Sequence, residues 1–525
     1  MKKTIILAAV LSCTLGVFAE SELDAIRFSG TDLNGTARGI SMGGAFGALG
    51  GDVTGITINP AGLGVYRSSE INASLNLSSA NAKTEMRGDY ASKFNFDNVS
   101  YVGYYPTYGD ELKAFNFSVS YNRIKSFDRN YQTAAANPSS LTHFIAQQLF
   151  GYAPGDLKFE KAPWLGVLGF ESYMVNDVVN NNDPNRYEYE SVFPANTSVK
   201  PRLNVSEKGN ISSWDFSFGT NFSDRFYFGA TLSLTEISYS YLSTYDEDVV
   251  GGGFTLKNSL ETEGNGAQLK VGAIFRPTDA LRLGIAYHSP TWYSLTNYCS
   301  GTLDPHYQNG SIYEDKKVST PASPDDYINY NLRTPQSWTF SAAAVLGKRA
   351  ILSLDYEIKS YAEMCLSRDY NDYSYYADVN DWVKDDFKMA STLRVGGEFR
   401  FTQQFSGRLG YAWMQNPHSK SFASNPTAYD FPDAAHQYKN LFAGTIPHFT
   451  VSGDTHYFTA GIGYKFTPQC YADLAFVVRS QNDDLYYYPS FETKDNGNIR
   501  KLVESKVIAL HNITYKGLLT VGYKF

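Results

Sequence analysis

From Ser68 to the C-terminus, apolar and polar residues alternate with a period of two in segment after segment, giving each segment one oily and one wet face. About fourteen such segments can be read, near 68–79, 95–105, 113–126, 210–221, 225–242, 261–276, 281–297, 331–346, 350–366, 388–400, 404–414, 454–466, 470–483 and 507–525. In the last of them Val507, Ala509, Ile513, Tyr515, Leu519, Val521, Tyr523 and Phe525 share one parity, and Leu510, Asn512, Thr514, Lys516, Thr520 and Lys524 the other. Charges keep to the wet parity along the chain: Lys270, Arg282, Asp355, Glu357, Lys359, Arg394, Glu398, Arg400, Arg408, Lys465, Asp473 and Lys516. A charge facing hydrocarbon near the bilayer midplane costs several kcal/mol, so the wet face points inward and the oily face meets lipid. The predicted fold class is therefore all-β, a transmembrane antiparallel β-barrel of about 14 strands, an even number that closes with both chain ends on one side.

The connections between segments alternate between tight and long. Tight ones are expected at 106–111, 221–225, 276–280, 347–349, 402–404 and 467–469, and long ones notably at 127–209, 298–330, 415–453 and 484–506. Bacterial outer-membrane barrels sort their loops in this way, short in the periplasm and long outside. Within the first long connection, Leu141, Phe144, Ile145 and Leu149 recur at helical spacing after Asn137-Pro138-Ser139, and Trp164, Leu165, Leu168 and Phe170 form a second apolar stretch, which predicts a helical insertion over about 138–175. Apolar surface on an exterior loop must pack or bind. Leu141, Phe144, Ile145, Leu149, Trp164, Leu165 and Leu168 are accordingly candidates for capturing an apolar ligand, and mutual packing as a lid is the alternative, compatible reading.

The stretch Ala37–Gly64, ARGISMGGAFGALGGDVTGITINPAGLG, alternates nowhere. Its glycines allow tight turns and close backbone packing at an entropic cost that a freestanding segment would struggle to offset. Interleaved Ile40, Met42, Phe46, Leu49, Val53, Ile56, Ile58 and Leu63 set it apart from a flexible Gly/Ser linker. It reads as a plug enclosed by the barrel, closed by a fixed turn at Asn59-Pro60-Ala61-Gly62, whose hatch or gating role makes those four residues site candidates. Its Arg38 and Asp52 are expected to join Arg394, Glu398 and Arg400 in a lumen charge network. Ahead of it, Lys2 and Lys3, the apolar run Ile5–Val17 and Val17-Phe18-Ala19 have the layout of a secretory signal peptide cleaved after Ala19. The expected organisation is signal peptide 1–19, hatch 20–66 and barrel 67–525.

Composition narrows the class. No stretch supplies the ~18 apolar residues of a membrane-spanning helix, and the mean hydropathy of −0.32 agrees. Aromatics nevertheless reach 15%, with 40 Tyr and 34 Phe, a density suited to the aromatic girdles of a barrel. A net charge of −8 argues against a nucleic-acid partner. Removal of Cys13 with the signal leaves Cys299, Cys365 and Cys470, so at most one intramolecular disulfide exists. The glycine run has no G-x-G-x-x-G and no Gly-Lys-Ser/Thr, and His143, His288, His418, His436 and His456 show no metal-ligand spacing, so no cofactor and no metal are expected. No catalytic set can be identified from residue order, and the chain is read as a non-enzyme.

The plug, closed by Asn59-Pro60-Ala61-Gly62-Leu63, resembles the N-terminal hatch of the FadL/TodX-type family of outer-membrane transporters for long-chain fatty acids and other hydrophobic compounds. The resemblance continues in GAQLKVGAIFRPTDALRLGIAYHS (Gly266–Ser289) with its tight Arg276-Pro277-Thr278-Asp279 turn, and more loosely in Leu393–Trp413 and His456–Phe466. It implies a fourteen-stranded monomer in the outer membrane of a Gram-negative bacterium, in contact with lipid and lipopolysaccharide. It also implies passive uptake of a hydrophobic small molecule through a hatch-gated barrel with lateral exit into the membrane, and a terminal Phe525 presented to the barrel assembly machinery. The other function class is a surface receptor or binding protein, for haem or a host ligand, on a permanently closed barrel.

Overall fold

The last strand of the chain pairs with the first, Lys524 beside Glu70 and His511 beside Lys83, and this contact closes a ring of antiparallel strands. The computed structural model describes residues 21–86, 88–178, 187–195, 197–249, 252–307, 316–321, 327–347, 349–369, 372–424, 427–431, 444–495 and 498–525. The signal-peptide reading for 1–19 and His436 lie outside them. Fourteen strands make the wall: β1 (Glu70–Lys83), β2 (Asp89–Pro106), β3 (Leu112–Ser126), β4 (Arg202–Phe222), β5 (Phe226–Val249), β6 (Gly252–Phe275), β7 (Leu281–His288 continued by Trp292–Tyr307), β8 (Tyr327–Arg333 continued by Ser337–Leu346), β9 (Ala350–Ser360 continued by Cys365–Ser367), β10 (Met389–Arg400), β11 (Phe405–Met414), β12 (Phe449–Lys465), β13 (Cys470–Tyr486) and β14 (Ile508–Lys524). Each pairs with its chain neighbour.

The parity argument fixes which face is which. In β14 burial alternates with residue number: Leu510, Asn512, Lys516 and Thr520 are buried, whereas Tyr515, Val521 and Tyr523 stand outside. Outward Phe and Trp residues are about half exposed, Phe218 and Trp214 at 52% each, because their intended neighbour is lipid. Among the described residues no helix is long and apolar enough to cross a membrane. None of Cys299, Cys365 and Cys470 is in a disulfide.

Two expectations about the wall need correcting. The run 281–297 is not one strand but two, interrupted at Ser289-Pro290-Thr291, and 331–346 is interrupted at Thr334-Pro335-Gln336. Proline has no N–H for the ladder, and both breaks fall on one. Loop length also does not alternate throughout. β5 and β6 run for 24 residues each and pair as far as Val249 beside Gly252, so that 243–249 and 252–260 are ladder rather than long loop.

Helices sit at the two ends of the lumen. Among residues 21–66, α1 (Glu22–Ser29), α2 (Ala37–Ser41), α3 (Val53–Ile58) and a 3-10 turn (Pro60–Val65) pack inside the ring against β4, β5, β12 and β13. In the outer connections, α4 (Leu141–Gln148), α5 (Trp164–Glu171) and α6 (Ala377–Asp386) cover the opposite end. One apolar cluster links them: Phe28 of α1 meets Phe127 and Tyr239 edge-on, and these continue through Tyr245, Tyr487 and Tyr488 to Phe144 of α4.

Candidate functional site

The N-terminal segment is fixed from within by caps and from without by the wall. The Asp52 carboxylate accepts from the Thr54 N–H (2.9 Å) and the Thr36 hydroxyl (2.7 Å), capping α3. Asn59 accepts from the Ala61 N–H at 3.1 Å, while its amide donates to the Gly47 carbonyl (2.8 Å) and to the Ala273 carbonyl of β6 (3.2 Å). Pro60 opens the 3-10 turn, where a missing N–H costs nothing, and the Gly51 N–H donates to the Gly62 carbonyl at 3.1 Å. Pro60, Ala61 and Gly62 are all buried. The wall supplies further partners: Asp355 accepts from the Phe46 and Gly47 N–H groups, and Asn116 donates to the Leu63 carbonyl at 2.7 Å.

Close approach depends on glycines of the wall, which the sequence reading missed. A Cβ on Gly229 would fall 2.3 Å from the Pro60 carbonyl, and one on Gly410 would fall 2.1 Å from the Gly43 nitrogen. Backbone here packs directly on backbone. The signal was present, since Gly229 and Gly410 sit on strands where glycine weakens pairing without an evident turn.

Of the expected charge network, part is assembled. Glu398 receives Arg38 from the plug at 3.0 Å and Arg408 at 2.6 Å, and Arg408 continues to Asp473 at 2.6 Å. Arg394 binds Glu357 at 2.6 Å. Two members depart from expectation. Among the described residues Asp52 is occupied by helix caps and makes no ion pair, and Arg400, at the end of β10, has no ion-pair partner. Parity puts a charge on the inner face, but height along the barrel decides whether a partner is there.

The seven ligand-capture candidates are also corrected. Leu141, Phe144, Ile145, Leu149 and Leu168 are fully buried and Leu165 nearly so, with Trp164 packed against the same cluster and its indole donating to the Phe159 carbonyl at 2.9 Å. α4 and α5 lock together, Ile145 over Gly169 and Leu149 over Gly166, and Phe144 stacks on Tyr488 and Phe491. Their apolar surface is used in a lid core, and none of them lines the three cavities described below.

The lumen cavities are elsewhere. An outer chamber of about 300 Å³ lies beneath the lid and is lined by α1, Lys125, Arg129, Glu207, Arg479, Asp483 and Lys516, with His418 and His448 entering from the loops. Burial holds both imidazoles neutral, each pushed down to about 3. An inner chamber of about 170 Å³ lies beside Asn122, Asp215, Lys270, His288 and Arg394. The two share Gly30, Thr31, Asp32, Glu357, Lys359 and Met414, so residues 30–32 form a crosspiece between them.

The inner chamber reaches the wall at Thr334 and Pro335, where the β8–β9 ladder is interrupted. Ser337 pairs with Lys359 and Arg333 with Cys365, but Thr334–Gln336 has no strand opposite it, because Tyr361–Glu363 coils into a 3-10 turn. On the other flank β7 stays sealed: the Thr334 N–H donates to the Thr291 carbonyl at 3.0 Å, and the Thr291 N–H to the Thr334 hydroxyl at 2.8 Å. A third cavity, lined by Pro290, Thr334, Gln336, Met364, Cys365 and α6, meets the interruption and shares Thr334 with the inner chamber.

Solved structures share this architecture. A FadL homologue from Pseudomonas aeruginosa superposes with a TM-score of 0.51 at 13% identity over 94% of this chain and 99% of that one, and the Pseudomonas putida toluene transporter TodX with 0.50 at 12% over the same shares. The fold is that of the FadL-type channels. No protein-family model matches the chain, and no curated sequence matches it. The FadL-type barrel is thus reached here by a sequence only 12–13% identical to those two.

Proposed function

We propose that this chain is an outer-membrane channel for hydrophobic small molecules such as long-chain fatty acids, moved passively from the outer chamber to the inner one and out sideways through the interruption between β8 and β9. Residues 20–66 act as the hatch and 67–525 as the barrel, with Asn59, Pro60, Ala61 and Gly62 holding the hatch to the wall. The observation that carries this reading is the coincidence of a lumen chamber with a stretch of described wall, Thr334–Gln336, that lacks a partner strand in β9. A closed receptor barrel, the other class, has no use for a cavity that meets a gap in its own wall. The exposed side chain of Phe525, at the end of the closing strand, fits presentation to the barrel assembly machinery.

The test is to fill the window. Thr334→Trp, and separately alkylation of the native Cys365 with a bulky maleimide in a C299S/C470S background, should abolish uptake of a radiolabelled fatty acid at limiting concentration while heat-modifiable barrel stays at wild-type level. Undiminished uptake with the window filled removes the lateral route.

A further inference from the structure

The tetrapeptide Gly-Tyr-Lys-Phe occurs twice in the chain, at 463–466 and at 522–525. Each copy ends a strand that runs toward the tight turns, β12 and the ring-closing β14, and each follows a β-branched residue, Ile462 or Val521. The outward side chains match in exposure as well as in kind: Ile462 and Val521 at 47% and 49%, Tyr464 and Tyr523 at 43% and 53%, Phe466 and Phe525 at 57% and 58%. The two copies flank the start of β13, since Tyr523 is the register partner of Cys470 and the Phe466 N–H donates to the Cys470 carbonyl at 3.0 Å. β10 ends on a looser version, Phe399-Arg400-Phe401, whereas β2, β4, β6 and β8 end on no aromatic–cation–aromatic run.

The finished barrel does not explain the likeness. Gly463 leaves room for Arg408 and Asp473, which a Cβ there would strike, whereas Gly522 leaves room for the ring of Tyr471. Lys524 pairs with Glu70 at 3.3 Å, and Lys465 has no carboxylate within 4 Å among the described residues. An aromatic girdle asks only for outward rings, so it places no demand on the glycine and lysine of the opposite face. Identical residues with different neighbours point to one reader that meets both before the ring is complete.

We propose that Gly463–Phe466 is a second docking segment for the barrel assembly machinery, engaged while β12 is still an open edge. This rests on the reading of Phe525 given above and adds a point of contact to it. Before β13 arrives, β12 shows a row of unpaired N–H and C=O groups that a partner strand must cover. Strand addition supplies those bonds through the main chain, and pockets for alternate side chains, here Ile462, Tyr464 and Phe466, supply the selectivity. The partner surface that fits is an exposed strand edge beside an apolar cleft, the same surface that takes Val521, Tyr523 and Phe525. β13 then replaces that edge, pairing with β12 from Lys465 to Phe449.

The experiment starts from the full chain without residues 1–19, unfolded in urea and diluted into liposomes carrying purified assembly machinery or into machinery-free vesicles of didecanoyl phosphatidylcholine. Appearance of the heat-modifiable form gives a rate in each, and their ratio cancels effects on intrinsic folding. Tyr464→Ala/Phe466→Ala should lower that ratio about tenfold or more, the apolar surface of two aromatic side chains being worth at least that factor. Tyr523→Ala/Phe525→Ala should do the same, and Phe218→Ala/Phe222→Ala, which removes two outward rings near the same end of β4, should leave it unchanged. A p-benzoylphenylalanine at Ile462 should cross-link to the machinery during assembly and cease to do so once the heat-modifiable form appears. A normal ratio in the Tyr464/Phe466 variant, an equal fall in the Phe218/Phe222 variant, or no cross-link from position 462 overturns the proposal. A normal ratio in the Tyr523/Phe525 variant alone strikes the reading of Phe525 and leaves the β12 segment as the docking point.

Discussion

The segment Ala37–Tyr66 and the lid on α4 and α5 are both buried additions to the same barrel, and they are held in opposite ways. The lower one is built by subtraction. Gly229 and Gly410 remove side chains so that backbone meets backbone, and the hydrogen bonds run from wall side chains such as Asp355 and Asn116 to plug N–H and C=O groups. The upper one is built by addition, with Phe144, Tyr245, Tyr487, Tyr488 and Phe491 filling one aromatic core. A site made of backbone contacts tolerates no growth, and a site made of large side chains tolerates no loss. The first suits a part that must seat in one position; the second suits a cover that need only exclude water.

This contrast is open to breakage from its strong end first. Gly410→Val puts a branched side chain where the Gly43 nitrogen already stands 2.1 Å from a Cβ, an overpacking that should cost upward of about 3 kcal/mol of plug docking. The expected outcome is a fully assembled barrel with raised ion conductance in planar bilayers and faster proteolysis within 37–66. Conductance at the wild-type level would show that the wall yields instead. The mirror experiment on the lid is Phe144→Ala, expected to cost about 3–5 kcal/mol within the lid, with faster hydrogen exchange across 141–171 and no change in conductance. Exchange spreading into residues 37–66 would show that the two regions are one cooperative unit.

The smallest effect expected is on acidification. His418 stacks between Phe387 and Phe422, and His448 stacks on Tyr245 and donates to the Tyr487 carbonyl at 2.9 Å. Both are held near 3 in the fold, below the ordinary 6.5, so the opened lid binds more protons between those values and stability falls as pH drops. At pH 5 the loss is about 2 kcal/mol for each histidine that opening exposes. Hydrogen exchange of 444–453 should accelerate from pH 7 to pH 5 beyond the intrinsic rate change, and His418→Gln with His448→Gln should flatten that response.

The wall was legible because its rule is local. Two solvents force a period of two, and all fourteen strands announce it. The strand breaks at Pro290 and Pro335 carried a signal of their own, outweighed by the alternation on either side. The plug could be found from Ala37–Gly64, whereas α1, only eight residues long, was not, and its Phe28 packs in the cluster around Tyr239. α4 and α5 showed their apolar stripes plainly, yet whether a stripe packs or binds depends on Gly166 and Gly169 opposite it, which no periodicity displays.

The closure of β14 on β1 has a consequence for how the molecule is made. The Ala37 N–H donates to the Thr520 hydroxyl 483 residues later, and the Ser69 and Phe525 backbones bond to each other in both directions. The N-terminal segment is thus tied to the strand that closes the ring. Ring closure and the bond from Ala37 to Thr520 therefore come together, set by the arrival of the final seventeen-residue strand.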